Sequence, residues 1–175
     1  MTVVIDLSAR RQDLLVKRAY RNWGARFGED FGAETCLSGL SLQTLTFLAQ
    51  GREKGTFYIY DLIMTLRGMG SGFEFADLSA KNKMDVIDQY LFILDRIRFE
   101  CMKRLGWIES YPGEDYTLVE IVLQFEQVAP GLQAEIPRLS SGHPGYDEYR
   151  GLSTFDREAF VRKLIPKALK AIQDL

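Results

Sequence analysis

Side chains that hold transition metals or pair as nucleophile and base are scarce in this sequence. Histidine occurs once, at His143, and cysteine twice, at Cys36 and Cys101, with no Cys-x-x-Cys spacing. Tetrahedral zinc sites need a full set of such ligands, and a ferritin-like di-iron centre needs paired Glu-x-x-His motifs. Neither set is present, so no metal and no cofactor is expected. The same poverty weighs against an enzyme, because no nucleophile and orienting partner are spaced around the one imidazole. No residue is put forward as catalytic. Excess charge of one sign is also missing. The 22 Lys and Arg stand against 24 Asp and Glu, a net charge of −2, so no overall positive field draws nucleic acid or an anionic membrane. No apolar run approaches the roughly 18 uncharged residues a spanning helix requires, and the first eight residues carry neither the basic nor the apolar region of an export leader. These absences lead to the expectation of a cytoplasmic protein off the membrane, with both thiols reduced.

What is present is ordinary for a globular chain: 46% hydrophobic and 26% charged residues, over a length suited to one domain spanning 1–175. Helical periodicity dominates. Residues 8–27 place Val16, Tyr20, Trp23 and Phe27 on one stripe, opposite Arg10, Lys17, Arg18 and Arg21, with Ser8 as N-cap and Gly28 as stop. Ser41 caps a shorter helix through Leu42, Leu45 and Leu48 that ends at Gly51. Residues 56–66 are apolar almost all round and rich in aromatic and β-branched side chains. A buried strand would share that composition, but the helical neighbours favour a buried helix.

The clearest signal lies at 79–105. Met84, Ile87, Leu91, Leu94, Ile97, Cys101 and Leu105 hold helical spacing between a cap at Asp77 or Ser79 and a stop at Gly106. Asp95 with Arg98 and Glu100 with Arg104 are spaced to pair along it. Over 117–128 the polar Glu120, Gln124 and Gln127 share one helical face, with Thr117 as cap and Pro130-Gly131 as stop. Residues 131–153 read as one long irregular loop, the kind that is usually functional or mobile. A last helix starts near Thr154 behind a Ser153/Asp156 capping box and should kink or restart at Pro166. The expected fold is mainly α: a single-domain bundle of about five to seven helices around the 79–105 helix.

Charge is segregated along the chain. Residues 1–27 hold six Arg or Lys against two Asp, whereas 107–151 hold eight Asp or Glu against two Arg. Phe92 and Phe99 line up on the far side of the long helix from Leu94, Ile97 and Cys101, with Arg96 among them. Either another helix of the domain covers this line or a partner does. The leading expectation is a non-enzymatic helical protein-interaction or regulatory module that binds another protein or itself as a homo-oligomer. Its contacts would fall at Phe92, Arg96 and Phe99 and at Tyr146 and Tyr149 of the loop. The alternative is a small-molecule-binding or catalytic helical domain whose site gathers Tyr58, Tyr60, Arg67 and His143. There the glycine-rich stretch 67–72 could cradle a phosphate, although Phe73 replaces the third glycine of a dinucleotide fingerprint. A third reading, nucleic-acid regulation through the basic face of the first helix, is disfavoured by the acidic remainder.

Overall fold

Thirteen residues in helical register, then a hinge at Tyr20, open the computed structural model, which describes residues 7–175. The reading of the first residues as lacking an export leader falls largely on 1–6 and so lies outside the described residues. Helix α1 (Leu7–Ala19) and α2 (Arg21–Phe27) together occupy the predicted 8–27 stretch. The hydrogen-bond ladder carries across the hinge, with Tyr20 N–H on the Val16 carbonyl at 3.1 Å and Gly24 N–H on the Tyr20 carbonyl at 2.9 Å. The expected stripe therefore survives the bend: Val16, Tyr20 and Trp23 are buried. Gly28 ends α2 at φ 68°, in the left-handed region that a side chain would disfavour.

Ser41 caps α3 (Leu42–Ala49) by accepting from Thr44 N–H at 3.1 Å. Glu29 supports the cap from the side, accepting from the Ser41 amide and hydroxyl and from the Thr44 hydroxyl. The ambiguous 56–66 segment is helical, within α4 (Glu53–Leu66), whose residues from Asp61 to Leu66 are all buried. At Gly55 a β-carbon would stand 2.9 Å from the Phe47 carbonyl oxygen, so the glycine permits the close approach of α3 and α4.

Helix α5 (Ala80–Arg104) is the predicted pillar, capped by Ser79 and followed by Gly106 at φ 77°. Its 25 residues span about 37 Å at the helical rise. It packs on α3, α4 and the C-terminal helix α9 (Thr154–Gln173). The face turned inward differs from the expected one in the first half. Met84 and Leu91 are 58% and 52% exposed, while Val86, Tyr90 and Ile93 go inward and Tyr90 meets Tyr60 of α4 at 5.0 Å. Asp95 also departs from expectation, pairing with Arg162 of α9 rather than with Arg98. Arg98 instead donates to the Ala49 carbonyl at 3.1 Å. Glu100 and Arg104 pair as expected, at 3.2 Å.

The remainder corrects the picture of one long loop. Strand β1 (Ile108–Ser110) pairs antiparallel with β2 (Arg138–Leu139), Ile108 facing Leu139, and both side chains are buried. Between them the predicted 117–128 helix is split at Gln124 into α6 (Leu118–Leu123) and α7 (Phe125–Gln133). Helix α8 (Tyr146–Arg150) lies inside the supposed loop as well. Neither proline acts as a stop: Pro130 lies within α7 and Pro166 within an uninterrupted α9. Both are exposed, so water can serve the carbonyl one turn back that loses its N–H partner. With nine α-helices and one two-stranded sheet among the described residues, the fold is mainly α. No described helix is long and apolar enough to cross a membrane.

Candidate functional site

Three side chains of α5 at i, i+4 and i+7 form the centre of the best-defined cleft. The Arg96 guanidinium carbon lies 4.4 Å from the Phe92 ring centroid and 5.3 Å from that of Phe99, a cation held between two aromatic faces. The domain itself covers this line. Phe125 of α7 stands edge-on to Phe92 at 5.5 Å, and Tyr111 packs against Phe99 at 6.2 Å. Phe92, Arg96 and Phe99 are 3%, 4% and 4% exposed, so in this fold little of them is presented outward. Tyr149 is likewise buried, its hydroxyl donating to the Pro137 carbonyl at 3.0 Å. Tyr146, half-buried beside it, is the one member of that set with appreciable exposure.

The electrostatics of Arg96 are unusual for a buried side chain. Its Nη1 donates to the Pro112 carbonyl at 3.0 Å, and its Nε has no hydrogen-bond partner. Burial pulls its pKa down to about 10, opposed by the nearby Asp95 carboxylate. That carboxylate is already engaged, because Arg162 of α9 takes both Asp95 oxygens at 3.3 and 2.9 Å and reaches Glu158 at 3.2 Å. A cleft of about 220 Å³ opens here, bounded by Phe92, Arg96 and Phe99, by Asp95 and Arg162, by Glu158 and Val161 of α9, and by Glu135, Ile136 and Pro137 ahead of β2. A guanidinium offers planar, paired donors that match a carboxylate, and a buried charge without a counter-ion is costly. The arrangement is suited to taking an anionic group.

The alternative ligand set does not converge. Tyr58 packs its ring among Phe27, Phe47 and Phe57, and Tyr60 stacks on Phe75 at 4.6 Å. Arg67 closes α4. His143 lies elsewhere, edge-on to Trp107 at 5.8 Å. Its Nδ1 accepts from Gly145 N–H at 3.0 Å, and burial lowers its pKa. The glycine-rich stretch does not hold its amides free for phosphate. Ser71 N–H donates to Glu74 at 2.7 Å and Gly72 N–H to the buried Asp61 carboxylate at 2.8 Å. The protein's own carboxylates occupy that cradle and repel a second anion. Cys36 and Cys101 are free thiols, the latter pushed up to about 12 by burial.

The spacing of Phe92, Arg96 and Phe99 is visible in the sequence. Arg162, Glu158 and Glu135 carry no such signal, because each reaches the cleft from a distant part of the chain. Compared with protein-family models, with curated proteins and with solved structures, the chain matches none.

Proposed function

We propose that the protein is a non-enzymatic helical binding domain for a small molecule bearing a carboxylate, seated in the cleft beside Arg96. One observation carries the reading: Arg96 is 4% exposed yet has a single carbonyl acceptor and an unpartnered Nε. A bound carboxylate would give that charge the counter-ion the fold withholds. Binding is favoured over catalysis because the lining contains no hydroxyl, thiol, amine or imidazole, and two of its three carboxylates, Asp95 and Glu158, are held by Arg162. The ligand-binding alternative is thereby carried at Arg96 and not at Arg67 and His143.

The test is thermal unfolding with butyrate, benzoate and their neutral amides. Ligand at 100 times its Kd stabilises by roughly 2.7 kcal/mol, so carboxylates should raise the melting temperature and amides should not. Arg96→Met keeps an apolar stem on the helix and removes the unpaired charge, together with its contacts to the two rings and to the Pro112 carbonyl. It should leave the protein folded, the lost Pro112 hydrogen bond and ring contacts set against relief of the buried charge, and blind to carboxylates. No response to either acid, or an unchanged response in Arg96→Met, overturns the reading.

A second reading, a self-associating interaction module, draws support from the outer face of α1. Every residue from 7 to 14 is exposed, including Leu7 at 64% and Leu14 at 57%. Arg10, Arg11, Lys17 and Arg18 form no ion pair among the described residues. The complementary surface would be the acidic 107–151 region of a second copy, where Glu114, Asp115 and Glu135 border one cleft. Sedimentation should then show a dimer at low ionic strength that salt dissociates, and Leu14→Asp should give a folded monomer. A monomer at low salt and high protein concentration removes this reading.

A further inference from the structure

We infer that the ligand of the Arg96 cleft is a zwitterion, an α-amino acid with an apolar side chain, whose ammonium group is received by Glu135. This rests on the reading of Arg96 as a carboxylate site and adds the rest of the ligand to it. The cleft is lined by two cations, Arg96 and Arg162, and three anions, Asp95, Glu135 and Glu158. Arg162 bonds both Asp95 and Glu158, which leaves one unpaired group of each sign. Arg96 lies buried, and Glu135 is exposed and forms no hydrogen bond or ion pair in the described residues.

The charge balance separates the ligand classes. The lining carries a net charge of −1, from two cations against three anions. A ligand with a carboxylate alone would bring a further negative charge toward Glu135, Glu158 and Asp95, whereas a zwitterion adds none. Its carboxylate answers the unmatched guanidinium and its ammonium the unmatched carboxylate. Phe92, Phe99, Ile136 and Val161 stand along the walls between these poles, with Gln133 beside them. They suit an aliphatic or aromatic side chain. At about 220 Å³ the cleft is below the usual range for drug-sized ligands, which matches a single amino acid better than a peptide.

The experiment is calorimetric titration of the intact protein with three matched sets: leucine, phenylalanine and valine, each beside its deaminated acid and its decarboxylated amine. At least one amino acid is expected to bind about tenfold tighter than its deaminated acid, the gain of one charge-assisted contact. Its amine should bind weakly or not at all. Glu135→Gln, at an exposed position that leaves the core intact, should erase the amino acid's advantage while leaving the deaminated acid's affinity unchanged or raised, since one repelling carboxylate is gone. If acids and amino acids bind equally and Glu135→Gln changes neither, the zwitterion inference fails and the carboxylate reading stands. If the amines bind as well as the amino acids and the acids do not, or if no member of any set binds, the carboxylate reading fails and the zwitterion inference goes with it.

Discussion

Replacing Trp23 by alanine is expected to destabilise the protein by about 3–5 kcal/mol, the range for removing a fully buried tryptophan. The side chain is 1% exposed, and its indole N–H donates to the Tyr58 carbonyl at 2.8 Å, joining α2 to α4. Around it stand Tyr20 at 5.4 Å, Phe27 at 5.8 Å and Phe31 at 5.4 Å, each near edge-on. Truncation therefore removes transfer energy, empties a cavity ringed by rigid aromatics that cannot close over it, and leaves a carbonyl lone pair unfilled. Against a whole-domain stability of roughly 5–15 kcal/mol, such a loss is a large fraction of the total. The melting temperature should fall by roughly 10 °C or more. Trp23→Phe, which keeps an aromatic ring and loses only the donor and part of the volume, should cost about 1–3 kcal/mol. Urea unfolding of both variants checks the order. A Trp23→Ala loss below about 1 kcal/mol would show that α2 is an appendage and not part of the main core.

The stripe that contains Trp23 could be read from spacing alone, and so could the starts of α3, α5 and α9. Ser41, Ser79 and Ser153 each accept from the backbone N–H three residues on, and these local signals do not depend on distant neighbours. What spacing leaves open is which side of a helix meets which neighbour. Helix α5 is apolar on two sides, and Leu91 and Phe92 are adjacent in the chain. The structure leaves Leu91 52% exposed and Phe92 3% exposed, because α7 and α9 arrive on the Phe92 side of the helix. Nothing within 79–105 says so. The β1–β2 pair is too short, at three and two residues, to show alternation. The split at Gln124 turns on a single residue at φ −111° and ψ 21°. The candidate site follows the same logic. Arg96 between two phenylalanines is a local pattern, but whether the pattern faces a partner or a cleft is decided by Arg162, 67 residues away from Asp95, and by the turn that brings Glu135 across. Burial converted a supposed contact surface into a lined cavity.

The second large effect is expected at Asp61, in the interior of α4. This carboxylate is 1% exposed and accepts from Gly72 N–H at 2.8 Å and from the Asn22 side-chain amide at 3.0 Å. It thus fastens both α2 and the short 3-10 turn Gly72–Asp77 to α4. The turn sits so close that a β-carbon on Gly72 would stand 2.9 Å from the Asp61 β-carbon and 2.9 Å from the Phe57 ring. Asp61→Ala removes the acceptor and leaves the buried Gly72 N–H without a partner, while the half-buried Asn22 amide can turn to water in the cleft that it lines with Asp61. At about 1–3 kcal/mol for an unsatisfied buried group, the expected cost is roughly 2–3 kcal/mol. Asp61→Asn keeps an oxygen for Gly72 N–H, and the Asn22 amide can turn its own oxygen toward the introduced NH2, so about 1 kcal/mol is expected. The contrast between the two variants is the informative result. Equal losses in Asp61→Ala and Asp61→Asn would mean that the negative charge, set near Arg18 and Arg21 along the same cleft, carries the stability and not the two hydrogen bonds. A smaller cost for Asp61→Asn would show why the glycine-rich stretch does not hold phosphate, since one of its amides is already spent on fastening the turn to α4.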